Sequence, residues 1–153
     1  MFRRTAPMGL TAALLVALAP AAQTAPAPTS GEVELQILSF NDFHGNIEAP
    51  EDPSKPGGAA NLATHLDRLR QGHEHTATLS AGDNVGASPF ASAAFRDEPT
   101  IEALNEMDLT ASTIGNHEFD QGTAEMLRLR DGGCKEDGDG AGGRNSCAVP
   151  GHT

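Results

Sequence analysis

Three short apolar runs, each closing on a cluster of polar residues, alternate with stretches of helical periodicity, and this alternation constrains the fold more than any other feature. Val33, Leu35 and Ile37 alternate with Glu34 and Gln36 before Leu38 and Phe40, which predicts a β-strand over residues 33–40. After Gly57-Gly58, Leu62, Leu66 and Leu69 fall at i, i+4 and i+7, the spacing of an amphipathic helix with one buried face that Gly72 stops. Residues 76–80, rich in β-branched side chains, read as a second strand running into Ala81-Gly82-Asp83. A second helix is predicted to start after Pro99, whose fixed φ suits a first turn, with Ile101, Leu104 and Met107 as its apolar stripe. A third strand follows over 109–114, then a third helix over 123–130 with Met126, Leu127 and Leu129 turned inward. The order β-α-β-α-β-α points to an α/β protein with right-handed crossovers and a largely parallel sheet.

Asp42 and His44, Asp83, and Asn116 with His117 each stand just past the C-terminal end of a predicted strand. A parallel sheet gathers such ends along one edge, so three segments distant in sequence can converge there. In Asp42-Phe43-His44 a hard carboxylate and an imidazole one residue apart suit Zn, Mn, Fe or Co, although the triplet alone is equally a surface turn. Asp83 could bridge two cations, with Gly82 letting the backbone pass close, or could serve as an ordinary loop or helix cap. Gly115-Asn116-His117-Glu118-Phe119-Asp120 is the most specific segment. Asn116 offers a neutral oxygen to a metal, His117 a proton near neutral pH, and Asp120 a partner that fixes the imidazole tautomer. Ser88-Pro89-Phe90 either shapes the entrance to such a site or forms a plain turn.

Residues 1–22 read as a secretory signal peptide, with Arg3 and Arg4 ahead of an apolar stretch from Met8 to Ala22. A membrane span needs about 20 consecutive apolar residues, and this stretch is shorter and broken by Gly9 and Pro20. Residues 23–31 form a flexible spacer, and the destination is secreted: extracellular, cell-surface or periplasmic. Without Arg3 and Arg4, eight basic residues face 21 acidic ones, a net charge of −13. Such a surface repels nucleic-acid polymers. It can still receive a phosphate if cations supply local positive charge. Cys134 and Cys147 are expected to close a disulfide in a Gly/Asp-rich stretch, rather than a zinc site with His152, which lacks a fourth ligand.

Taken together, Asn41-Asp42-Phe43-His44-Gly45, Gly82-Asp83 and Gly115-Asn116-His117-Glu118-Phe119-Asp120 resemble the first three motifs of calcineurin-like metallophosphoesterases. The Phe119-Asp120 ending and the signal peptide resemble the secreted 5′-nucleotidase branch. The resemblance implies that residues 32–153 are part of a metallophosphoesterase catalytic domain, the N-terminal half of a four-layer αββα sandwich. It implies that Asp42 and His44 bind one metal, Asp83 bridges two, Asn116 binds the other, and His117, oriented by Asp120, stabilises the transferring phosphoryl group. Two divalent cations are implied as cofactors, and Zn, Mn, Co, Fe, Mg and Ca are not distinguished. The implied substrate is a nucleotide or other small phosphoester, handled by a monomer with no transmembrane segment after signal removal.

The family pattern also calls for further histidine ligands and a C-terminal domain that holds the nucleoside base, and neither lies in this sequence. Gly151-His152-Thr153 follows the Cys147 loop too closely to be such a motif. The expectation is an incomplete metal site, little activity from this stretch alone, and exposed sheet faces that make it poorly soluble. Alternatives are a cyclic-nucleotide or nucleotide-sugar hydrolase with the same core, or a non-catalytic truncated product. His65 is read as a packed or exposed helix residue rather than a ligand, and His73 and His75 as solvated turn residues. Asp137-Gly138-Asp139-Gly140 lacks the acidic ligands that a calcium loop needs later in its span.

Overall fold

Strands β1 (Gln36–Phe40), β2 (Thr76–Ser80) and β3 (Ala111–Ser112) form a parallel sheet in the order β1-β2-β3. The computed structural model describes residues 31–52, 54, 57–135 and 146–151. The expected signal peptide and nearly all of the spacer lie outside the described residues, as do Asp137 to Gly140 and His152. The register pairs Gln36 with Thr76 through to Phe40 with Ser80, and Ser80 with Ser112. All three strands therefore end along one edge. Two further bonds, Thr110 N–H to Thr78 O at 2.7 Å and Thr113 N–H to Ser80 O at 3.0 Å, extend the pairing beyond β3.

Helix α1 (Ala59–Arg70) connects β1 to β2, and a short helix α2 (Phe90–Ala93) with α3 (Glu98–Glu106) connects β2 to β3. The α/β order predicted from the sequence is the one observed. Leu66, Leu104, Met107, Leu109 and Phe43 make the main apolar cluster, with Leu38, Phe40 and Leu62 packed against it, so α1 and α3 cover the same face of the sheet. Arg70 binds this layer together, donating to Thr78 Oγ1 at 2.8 Å and to the Met107 carbonyl at the end of α3. In a sheet, register-paired residues share a face. Ile37 with Ala77 and, two positions on, Ser39 with Leu79 and Ala111 line the opposite face, where Ile37 is 60% exposed; Val33 and Leu35, ahead of β1, are 72 and 58% exposed.

Helix α4 (Thr123–Asp131) follows a 3₁₀ turn over His117–Phe119 and leads into an antiparallel hairpin of β4 (Gly133–Lys135) and β5 (Ser146–Ala148). The Cys134–Cys147 disulfide crosslinks this hairpin, as expected, and both thiols are thereby unavailable to zinc. Val85, Ile101, Leu129 and Ala148 form a second buried cluster. Arg128 on α4 ties it to α3, donating to Glu98 and Glu125, both at 2.7 Å.

Several sequence expectations are corrected. The first strand begins at Gln36 rather than residue 33, the third is two residues long, and α3 starts one residue before Pro99. Leu69 is 52% exposed and lies outside the cluster that Leu62 and Leu66 join; in the last turn of α1 it is Arg70 that reaches the layer. On α4 Leu129 is buried but Leu127 is not, and Glu125 takes the inward position through its pairing with Arg128. Among the described residues no helix is long and apolar enough to cross a membrane.

Candidate metal and phosphoester site

Beyond the strand ends, two loops continue side by side. Asp42 N–H donates to Gly82 O at 3.1 Å, His44 N–H to Asp83 O at 3.0 Å, and Gly45 N–H to Asn84 O at 2.9 Å. This pairing gathers Asp42, His44 and Asp83 so that one ligand atom from each lies within 4.8 Å of the others. His44 Nε2 and Asp42 Oδ1 are 3.6 Å apart. All three residues hold left-handed backbone, with φ of 54°, 45° and 54°. Asp and His are among the few side chains that tolerate this region.

The two imidazoles are oriented differently. His44 Nδ1 lies 2.9 Å from the Gly86 carbonyl, which can only accept, so in the neutral imidazole Nδ1 carries the proton and Nε2 keeps the lone pair. That is the arrangement of a metal-ligating histidine with an outer carbonyl partner. His117 Nδ1 is 2.7 Å from Asp120 Oδ2, and its ring stands edge-on to that of His44 with centroids 4.8 Å apart. The hydrogen bond that His117 donates to Asp120 raises the His117 pKa above its ordinary value; partial burial opposes this, and the charges of Asp120, Asp83 and Glu118 reinforce it. His117 N–H also donates to Asp83 Oδ1 at 2.9 Å. Asn116 is exposed on the same loop, immediately before His117. The trio and the His117–Asp120 pair are thus neighbours, while His65, His73 and His75 are exposed and outside the cluster.

Beneath the site runs a buried relay that the sequence reading missed. Ser80 Oγ donates to Asn84 Oδ1 at 2.6 Å, and Asn84 Nδ2 donates to Ser112 Oγ at 2.7 Å, joining β2, its loop and β3. Two glycines permit the close approach above it. A Cβ on Gly82, at φ 99°, would come within 2.5 Å of Gly115 N, and one on Gly86, at φ 78°, within 2.8 Å of Asp120 Oδ2. The run Gly82-Asp83-Asn84-Val85-Gly86 was the available signal, because a polar pair flanked by two glycines marks backbone that must approach another chain segment. Ser88 and Pro89 lead into α2, and Phe90 is almost fully exposed. A cleft of about 250 Å³ opens beside His117 and Asp120, with Gly86, Ser88, Arg96 and Lys135 also in its walls.

Two carboxylates and an imidazole lone pair within reach of one point make a donor set that fits a divalent cation. Residues 35–141 match the calcineurin-like phosphoesterase family. The chain belongs to that family.

Among its relatives in the calcineurin-like phosphoesterase family are a cell wall protein of Listeria monocytogenes, 40% identical over 86% of this chain, and the bovine 5′-nucleotidase, 32% identical over 65%. The solved structure of the NAD nucleotidase of Haemophilus influenzae superimposes with a TM-score of 0.54 at 28% identity, covering 63% of this chain. The chain spans 18%, 19% and 19% of the lengths of these three proteins. The phosphoesterase family expected from the sequence is shown, and at the strand ends the structure gathers Asp42, His44 and Asp83 into a group that could hold a cation.

Proposed function

We propose that this chain contributes to a secreted, two-metal phosphomonoesterase that converts nucleotides to nucleosides. The observation that carries the reading is the meeting of Asp42, His44 and Asp83 within 4.8 Å, beside the hydrogen-bonded His117–Asp120 pair. The likeness to a 5′-nucleotidase and to a NAD nucleotidase supports a nucleotide as substrate, and the cell wall relative supports export.

In this reading Asp42, His44, Asp83 and Asn116 would hold the divalent ions. Bound there, a pair of divalent ions supplies positive charge and an acidified water for in-line displacement at phosphorus. His44 keeps its Nδ1 proton on the Gly86 carbonyl, so its Nε2 stays available as a ligand. His117, whose pKa the hydrogen bond to Asp120 raises, would in its protonated form donate a hydrogen bond to a phosphoryl oxygen as negative charge builds there. Removing one such donor lowers turnover by about 100- to 1,000-fold.

The test is phosphate release from AMP by the full gene product in manganese, alongside its His117→Ala variant. No release by the parent, or undiminished release by the variant, would end the proposal. The likeness to a NAD nucleotidase favours a second reading, hydrolysis of a dinucleotide at its pyrophosphate. A panel of AMP, NAD, cyclic AMP, a nucleotide sugar and single-stranded DNA separates these, with AMP expected to be cleaved fastest.

A further inference from the structure

Glu118 stands in the same loop as His117, yet its carboxylate bonds to backbone amides and is not part of the candidate cation trio. Oε2 accepts from Asp83 N–H at 3.0 Å and from Gly115 N–H at 2.7 Å, while Oε1 accepts from Asn84 N–H at 2.7 Å. One half-buried side chain thus takes three main-chain donors from the two loops that the second and third strands deliver. Hydrogen bonds to an ionised carboxylate are shorter and about twice as strong as neutral ones. Asp83 answers in the other direction, accepting the His117 N–H on Oδ1. The loops are therefore closed into a ring of contacts: Glu118 grips the backbone of Asp83, and Asp83 grips the backbone of His117.

We infer that Glu118 is a positioning residue that sets where the Asp83 carboxylate points, and so sets the affinity of the site for a divalent cation; this rests on the metal-binding reading above. The chemistry explains why a carboxylate is needed. Three N–H groups converge from two directions, and only a group with two acceptor oxygens and no hydrogen satisfies them all. Glutamine at this position keeps the length but turns one end into a donor facing a donor. Aspartate keeps the charge but falls one methylene short of spanning both loops. Because the three amides disperse its charge, Glu118 can sit near Asp83 without adding a ligand of its own.

The experiment measures manganese affinity of the full chain by calorimetry, with the electron paramagnetic resonance spectrum of the bound ion as a second readout, and the melting temperature without metal. Outer partners of metal ligands are worth about 10- to 100-fold in affinity. Glu118→Gln and Glu118→Ala should each weaken manganese binding by at least about tenfold and alter the spectrum. Arg70→Ala, which breaks the latch between α1, β2 and α3 away from the strand ends, should lower the melting temperature and leave manganese affinity unchanged. If Glu118→Ala does not fold, Glu118→Gln decides. Parent-like affinity and spectrum in the Glu118 variants would overturn the inference while leaving the metal site standing. Absence of manganese binding by the parent chain would overturn both.

Discussion

The backbone N–H of His117 donates to Asp83 Oδ1 at 2.9 Å, so the imidazole proposed to meet phosphate and the carboxylate proposed to meet cations move together. Asp83→Ala should therefore do two things at once. It should remove manganese binding, by more than the roughly 100-fold that loss of an outer partner brings, and it should displace the His117 amide resonance in the metal-free protein. Calorimetry and a nitrogen-15 correlation spectrum read the two effects.

His117 should titrate above the ordinary histidine value of about 6.5 in the metal-free chain, because Asp120 holds its Nδ1 proton. Its folded pKa being raised, the associated stabilisation is full below the unfolded pKa and disappears as pH rises through the folded one. Asp120→Asn should return the midpoint toward 6.5, and saturating manganese should lower it by repulsion between like charges. The imidazole proton resonances followed from pH 5 to 9 check this, and an unchanged midpoint in Asp120→Asn would refute it.

Arg128 is 9% exposed and donates to both Glu98 and Glu125. Arg128→Ala takes the guanidinium from Glu98 and leaves Glu125 to the longer Lys135 contact at 3.6 Å, and should destabilise by about 3 kcal/mol, the low end of the range for breaking a buried pair. Burial works to raise the Glu125 pKa, but the hydrogen bond and charge of Arg128, with Lys135 and Arg96, outweigh it and the net shift is downward. That stabilisation is present above the unfolded pKa and is lost as pH falls through the folded one. The gap between parent and variant in urea unfolding should narrow on acidification.

The Cys134–Cys147 crosslink spans 13 positions and holds a hairpin whose Ala148 reaches the second apolar cluster. Pro150 O accepts from Asn105 Nδ2 at 2.9 Å, and Gly151 N–H donates to Leu129 O, so the hairpin also braces α3 and α4. The double variant Cys134→Ser, Cys147→Ser should lose about 3 kcal/mol by the loop-closure relation. Alkylation of the denatured, unreduced parent should label neither thiol.

The elements with strong local signals were legible. Thr76–Ser80 is bounded by a turn and by Gly82, and its extent in space is the extent read from sequence. Leu69 was misread because periodicity gives the direction of a side chain around its helix but not whether anything lies opposite, and Leu127 because, two residues from the buried Glu125 and Leu129, it points to the other side of α4. Met126 and Leu127 are adjacent and cannot both face one partner. The hairpin was hidden because its strands are three residues each, too short for a period of two to declare itself. At the site, Asp42, His44 and Asp83 could be found because strand ends share an edge. The Gly86 carbonyl that orients His44 leaves no mark in sequence, since every residue carries one.

Left-handed backbone at Asp42, His44 and Asp83 costs on the order of 1 kcal/mol or more apiece. That burden falls on folding, long before any ion arrives. A cation diffusing to these strand ends would find its oxygen and nitrogen partners already assembled, and its capture would be governed by how fast it sheds water rather than by how fast a loop can rearrange.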